Sequence, residues 1–418
     1  MPAYKRLLKE KGVSPCSIKD IATFKRFAPI INKDIFSKYD IADLCLGGKL
    51  DKMKTAFLSS GFSNNFSYSV LNNNELGGAG FMCDTMLDHS FDISKKRTFW
   101  ISALGMGVKV YTNIIPLAET SVRPDMVLAL VKKFSKYFEQ LIIIGNVFFI
   151  KEVIEDGIDR GINWKDKRVN FIIGEDWFPE NYRTYLLHLI GENNIVMANF
   201  GISELGPSLF SESPCTIRIR QLAEKNPAFR SDLFGKGTDI CPELLHHHSF
   251  QTFLEEIDGE FAFTTLNPKA TIPLIRYNSE DEGKIYPYDQ LRKILTKNNY
   301  QNYAPRLKLP VVSLMGRKDK FIELNNVFFT PEQVKTGIYN DFESAAATTG
   351  YFRMSKPENR LRIEIQLKEK REATRGLENI FYQNIAKYIK SDFELLLYPY
   401  IEFPYGIGLI YEKKFKYI

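Results

Sequence analysis

Between residues 97 and 198 the chain alternates short runs of apolar and β-branched residues with longer segments whose apolar positions recur at helical spacing. That pattern predicts strands over 97–102, 141–144, 169–173 and 195–198, and helices over 124–138, 147–157 and 179–190. Strands and helices in such succession predict α/β layers with largely parallel pairing. Ahead of this region the spacing predicts helices over 4–12 and 18–27, a short strand over 55–58 that runs into a hydroxyl-rich loop, and a helix over 76–87.

Beyond Cys215 the pattern loses regularity, and the segment to about Leu245 reads as charged and irregular. Two strand-like runs, 252–257 and 260–266, then flank Asp258-Gly259, a hairpin turn signal. An apolar strand from Val311 ends at Gly316 and alternating charges, which reads as a domain boundary. After it come a strict alternation over 360–367, a helix over 377–389 and a strand over 394–398. The expected fold class is therefore an α/β large N-terminal domain of layered sheets and helices, residues 1–315, plus a small α+β C-terminal domain, residues 316–418.

Composition narrows the class without changing the picture. At 44% hydrophobic and 25% charged the chain is globular rather than disordered. Its net charge of +6 is too mild for this length to call for a nucleic-acid partner, and a phosphate-bearing ligand fits equally well. No apolar stretch follows Met1 to Arg6, and the apolar run near 141–150 is broken by Gly145 and Asn146, so neither a signal peptide nor a membrane span is expected. Cys16, Cys45, Cys83, Cys215 and Cys241 are odd in number with no Cys-x-x-Cys pair, which suits a reducing, cytoplasmic setting.

The candidate chemistry centres on residues 199–207. An apolar run, residues 195–198, leads into Asn199-Phe200-Gly201-Ile202-Ser203-Glu204-Leu205-Gly206-Pro207, where two glycines bracket a hydroxyl and a carboxylate on a strand-end turn. Such a turn can offer backbone N–H groups, a hydroxyl and an acid to a polyphosphate and its metal, and it can equally be a turn with a purely structural job. The loop Ser59-Ser60-Gly61-Phe62-Ser63-Asn64-Asn65-Phe66 presents the same two readings: hydroxyls that wrap phosphate oxygens, or a solvated Ser/Asn turn. The run His246-His247-His248 stands near Cys215 and Cys241. These are zinc-ligand types, but without a tight Cys-x-x-Cys or a fourth ligand the spacing argues against zinc, and a polar turn is the plainer reading of the histidines.

Taken in order, these stretches resemble the adenylate-forming enzyme superfamily, most closely its phenylacetate–coenzyme A ligase-like branch. Ser59-Ser60-Gly61 sits where the family has its Ser/Thr/Gly-rich phosphate loop, and Gly174-Glu175-Asp176-Trp177 with Arg183 is similar to its Gly-Ala-Glu turn and following helix. Phe200-Gly201-Ile202-Ser203-Glu204 resembles the aromatic-Gly-x-Thr-Glu signature, residues 276–281 resemble Arg-Tyr-Arg-Thr-Gly-Asp, and Gly316-Arg317-Lys318-Asp319 resembles the Gly-Arg-x-Asp hinge. Three departures accompany the match. Ser63-Asn64-Asn65-Phe66 replaces the loop's Thr-Gly-Lys portion, Glu280 replaces a glycine, and Asn326 stands where a glycine follows the hinge strand.

The resemblance implies that Glu204 helps hold Mg²⁺, that Ser203 contacts the α-phosphate, and that Ser59, Ser60, Gly61 and Ser63 cradle the outer phosphates of ATP. It implies Asp281 on the ribose hydroxyls, Arg317 beside ribose and phosphate, Phe200 and Gly201 at the nucleotide, and Asp176 with Trp177 facing the adenine or the acyl pocket. Lys414, in Glu412-Lys413-Lys414-Phe415-Lys416, matches the family's adenylation lysine and is equally readable as part of a solvated basic end. Asp319 matches the pivot of the small domain, and Phe148, Phe149 and Trp177 hint at an apolar or aromatic acid. The implied activity is ATP-dependent activation of a small-molecule carboxylate as its acyl-adenylate, with transfer to a coenzyme A-like thiol or an amine. The alternatives are AMP transfer to a cofactor, acyl transfer to a protein, and a nucleotide-binding relative without turnover.

Overall fold

A computed structural model describes the chain except residues 59–65, 106, 249, 318–320, 407–410 and 412–414. An antiparallel hairpin, β1 (Thr55–Leu58) and β2 (Tyr68–Leu71), precedes the main sheet. That sheet contains β3 (Thr98–Ala103), β4 (Leu117–Glu119), β5 (Gln140–Asn146), β6 (Val169–Gly174), β7 (Val196–Ile202), β8 (Gly206–Ser211), β9 (Glu243–His247), β10 (Thr252–Ile257), β11 (Glu260–Thr265), β12 (Tyr277–Tyr286) and β13 (Val311–Arg317). Its 11 strands run in the order β10-β11-β12-β13-β9-β8-β7-β6-β5-β3-β4.

The parallel pairing predicted from residues 97–198 holds throughout that region and does not extend to the rest of this sheet. Strands β4, β3, β5, β6 and β7 are parallel, and every pairing from β7·β8 to β10·β11 is antiparallel. The reason lies in the connections. Helices Pro124–Phe134, Val147–Asp159 and Glu180–Ile190 provide the crossovers a parallel pair needs, whereas β7 and β8 are joined by a tight turn that can make only an antiparallel pair. All residues of β3, β5 and β6 are buried, as their mostly apolar composition suits strands covered on both faces.

The segment 215–245, irregular by its sequence pattern, contains helices Pro214–Lys225 and Pro227–Phe234, followed by β9. Ser213 caps the first and Asn226 the second, and each has Pro at its first position; these start signals lie among charges that mask the apolar spacing. The histidine run is not a polar turn. His246 and His247 lie on buried β9, and His248 follows it with 6% exposure.

The C-terminal region holds the hairpin β14 (Ile322–Leu324) and β15 (Val327–Phe329), and a sheet ordered β16-β17-β18 from Thr348–Ser355, Leu361–Leu367 and Phe393–Tyr398. Its apolar side joins the main core: Phe415 packs edge-on against Phe148 at 4.7 Å, Tyr411 against Phe149 at 5.3 Å, and Lys151 Nζ donates to Thr348 O at 2.7 Å. Phe148 and Phe149 are thus core residues, not walls of an acyl pocket. Asn325 and Asn326 turn the β14–β15 hairpin at φ 52° and 63°, so Asn326 adopts the left-handed conformation its position demands. Among the described residues, no helix is long and apolar enough to cross a membrane.

Candidate active site

Four of the five motif-bearing stretches meet at one cavity of about 820 Å³. It lies past the carboxyl ends of β6 and β7, where the sheet changes from parallel to antiparallel. Gly174 to Trp177, Asn199 to Gly206, Tyr277 to Asp281 and Gly316 all line it. The loop 59–65, with Ser59, Ser60, Gly61 and Ser63, lies outside the described residues, and Phe57 and Leu58 just before it contribute to the wall. Lys414 and Asp319 also lie outside them, whereas Arg317 is described through its backbone, opposite Asp281 in the β12–β13 ladder.

The turn between β7 and β8 is closed by a hydrogen bond from Leu205 N to Ile202 O at 3.1 Å, and Gly206 takes φ 114°, a conformation a side chain would strain. It leaves Ser203 and Glu204 half-buried on the cavity wall. Phe200 is held behind them, stacked on Phe210 at 5.3 Å. Tyr277 donates its hydroxyl to Glu204 Oε1 at 2.9 Å, orienting the carboxylate from β12, four places from β7 in the sheet. Nothing in the 199–207 pattern signalled that partner, although Tyr277 lies within the Arg276-to-Asp281 motif.

That second motif bends as the family's glycine would require. Glu280, in the glycine's place, takes φ 63°, with its N–H bonded to Asn278 Oδ1 at 2.7 Å. Asp281 is 6% exposed and faces the cavity. Arg276 does not: its guanidinium pairs with Glu255 at 3.1 Å and donates to Lys25 O and Ala28 O, tying the N-terminal helices to the sheet. Arg183 is also structural. With Arg220 it forms a buried network with Glu180 and Glu212 behind the 174–177 loop.

Asp176 is held from the C-terminal region. Lys335 Nζ pairs with its Oδ2 at 2.7 Å and donates to Trp177 O at 3.2 Å, and the Tyr417 hydroxyl donates to the same carboxylate. Burial and this carboxylate push the Tyr417 phenol well above its usual range, so it remains a donor. Sequence reading did not single out Lys335 or Tyr417, since each meets Asp176 only through the tertiary fold.

The three histidines each share a proton with a hydroxyl: His246 Nε2 with Ser213 at 2.9 Å, His247 Nε2 with Thr252 at 3.0 Å and His248 Nε2 with Ser211 at 2.9 Å. Burial lowers them from the ordinary 6.5 to about 3 for His246 and His247 and about 4 for His248. Below pH 6.5 the unfolded chain therefore holds more protons than the folded one, so stability present above that pH is lost on acidification toward pH 3 to 4. Between about pH 6.5 and pH 4.5, each histidine is expected to account for about 2 kcal/mol of that loss. Urea unfolding of His248→Gln should show the acid loss reduced by that amount; an unchanged loss would mean His248 is not buried neutral.

The cavity wall is rich in acid. Among the described lining residues, Glu75, Glu175, Asp176, Glu204, Glu243, Glu280, Asp281 and Glu332 face only Lys33 and Lys109. A polyphosphate would enter this wall only with cations beside it, and a half-buried, oriented Glu204 carboxylate is a hard oxygen donor of the kind Mg²⁺ prefers. The residues present fit such an ion.

The whole chain superposes on 2-hydroxyisobutyryl-CoA ligase in the postadenylation state, at TM-score 0.69 and 11% identity over 100% of this chain and 84% of that one. The chain has the adenylate-forming ligase fold. The same ligase in an open conformation, in complex with 2-HIB-AMP and CoA, matches the adenylate-forming fold of this chain at TM-score 0.54 and 11% identity, over 95% of this chain and 84% of that one. In the thioesterification state it matches at 0.53 and 11% identity over 95% and 82%. No family model and no curated protein sequence matches the chain. A second cavity of about 800 Å³ adjoins the first, sharing Trp177 and Glu332 with it; it presents Arg230, Lys236 and Lys387, the ion pair of Lys390 with Asp239, and Glu282.

Proposed function

We propose that the protein is an ATP-dependent ligase that activates a small-molecule carboxylate as its acyl-adenylate, releases pyrophosphate and passes the acyl group to a coenzyme A-like thiol. The observation that carries this reading is the convergence of residues 174–177, 199–206, 277–281 and 316 on one cavity, although these segments are far apart in the chain. Ser203 and the turn's N–H groups would meet the α-phosphate, Asp281 would accept from the ribose hydroxyls with its two oxygens, and Phe200 would flank the base. Ser59, Ser60, Gly61 and Ser63 are assigned to the outer phosphates, and Arg317 to the ribose and phosphate.

Glu204 would hold Mg²⁺, which when bound supplies positive charge to the phosphorus oxygens as they gain charge. Lys414 is assigned to the bridge between carboxylate and phosphate. Residues 316–418 would move as a small domain about Asp319 between adenylation and transfer, releasing Asp176 from Lys335 and Tyr417 as they go. Arg230, Lys236 and Lys387 at the second cavity would suit a thiol acceptor that carries phosphate better than a free amine. The chemistry suits a cytoplasmic enzyme supplied with ATP.

The test is pyrophosphate release with ATP, Mg²⁺ and a panel of aromatic, fatty and amino acids. Release that depends on one class of acid is the expected result. ATP binding by calorimetry with no release across the panel would instead mark a nucleotide-binding protein without turnover.

A further inference from the structure

Glu243 has no part in the chemistry above, yet it stands at the cavity wall. It begins β9, where it pairs with Leu314 of β13, two residues before Gly316 and three before Arg317, which itself pairs with Asp281. Its side chain is 4% exposed and lines the cavity, and among the described residues no hydrogen bond or ion pair reaches its carboxyl. A buried carboxyl left without a partner costs free energy unless something that enters the cavity satisfies it.

Its neighbours fix which end of a nucleotide it would meet. Glu204 and Ser203 mark the phosphate end in the reading above, and Asp281 marks the ribose. Glu243 lies on β9 next to β13, which carries Asp281's ladder partner, and close enough to Asp176 for that carboxylate to act on it; it therefore stands beside the 174–177 loop, where in this reading a base would sit against Trp177 and Asp176.

We propose that Glu243 is a specificity-determining residue that reads the base of the nucleotide, presenting its carboxyl as one donor and one acceptor to the hydrogen-bonding edge of adenine. The inference rests on the assignment of ATP made above. Adenine offers an N–H donor at N6 beside an acceptor at N1, and a protonated carboxyl is their complement. Guanine offers N–H donors at N1 and N2, which suit an ionised carboxylate and confront a protonated one with a second donor.

The surroundings keep the group protonated. Burial pushes Glu243 up to about 8, aided by Glu212 and Asp176, against the pull of Arg220 and Arg183. Those four are the charged groups that face it, from the helix Pro214–Lys225, the residue after β8, the helix Glu180–Ile190 and the loop after β6. The donor is therefore present at neutral pH and is lost as the pH rises through about 8.

Calorimetric titration of the full-length protein with ATP and with GTP, in Mg²⁺, from pH 7 to pH 9 tests this. Glu243→Gln keeps a donor and an acceptor and does not titrate; it is expected to bind ATP within a few-fold of wild type at pH 7. Wild-type ATP affinity is expected to fall by about tenfold relative to Glu243→Gln by pH 9, a difference that cancels titration of the phosphates and of other side chains. Glu243→Leu, an apolar replacement that removes the buried polar group, should fold and should lose at least tenfold of the ATP-over-GTP preference. An unchanged preference in Glu243→Leu, or wild-type and Glu243→Gln curves that run parallel with pH, would overturn the assignment of Glu243 while leaving ATP binding in place. Failure of the wild-type protein to bind ATP at any pH would overturn both this assignment and the ligase reading.

Discussion

Glu204→Ala is expected to lower acid-dependent pyrophosphate release by about 10²- to 10³-fold, the largest effect of any single change to the proposed machinery. The size follows from what the carboxylate holds. Loss of the charge that anchors a catalytic divalent ion removes several kcal/mol of stabilisation from a transition state gathering charge on the phosphate, and each 1.36 kcal/mol is about tenfold in rate. The same substitution should hardly affect the fold. Glu204 is half-buried at a turn, and its one described hydrogen bond, from Tyr277 at 2.9 Å, is worth only about 0.5–1.5 kcal/mol.

Glu204→Gln separates the two contributions. A glutamine carbonyl still accepts from the Tyr277 hydroxyl, so the turn keeps its orientation, but the charge is gone. It is expected to unfold at the wild-type temperature and to be almost as inactive as Glu204→Ala. Tyr277→Phe, which frees the carboxylate without neutralising it, should lose far less. Release within threefold of wild type in Glu204→Gln would sink the role given to Glu204.

The alternating strand and helix pattern from 97 to 198 was legible because each element is buried in the way its composition demands. β5 and β6 are mostly apolar and covered on both faces, and the helix between them buries an apolar side. What the pattern could not reveal was the change to antiparallel order after β7, since the pairings of β8 with β9 and of β9 with β13 join residues such as Phe210 with His247 and Leu314 with Glu243 that are far apart in the chain. The helices after Ser213 were hidden for a different reason. They begin on caps and prolines, and their buried residues include Arg220, so hydropathy alone misses them.

The site shows the same division. The residues whose backbone must turn sharply, Gly206 and Glu280, or whose carboxylate lies on such a turn, Glu204, carry local signals and line the cavity. Residues that act on those groups from other elements carry none. Tyr277 on Glu204, and Lys335 and Tyr417 on Asp176, meet their partners across 73, 159 and 241 residues of chain. Glu243 is the extreme case, an acid in an apolar strand whose burial, and hence whose protonation, exists only in the folded protein.

Arg183→Met is expected to destabilise the fold by about 3–5 kcal/mol, the largest structural effect of a single substitution here. Arg183 is 1% exposed and donates to Glu180 and to both oxygens of Glu212 at 2.8 Å, with a further bond to Val196 O. Glu212 in turn accepts from Ala198 N at 2.7 Å, so the network clamps β7 directly before the Asn199-to-Gly206 turn. Methionine matches the arginine stem but leaves two buried carboxylates with Arg220 as their remaining cation, at 3.2 and 3.6 Å. Paired removal should cost much less, because Arg183→Met with Glu212→Gln takes out one charge of each sign. Denaturant unfolding of the two single variants and the double variant measures the coupling; additive losses would show that the pair does not act as a unit. The double variant also has a functional signature. With β7 no longer clamped, ATP affinity should weaken even where stability is largely recovered, since Phe200 and Ser203 lie on the chain just beyond Ala198.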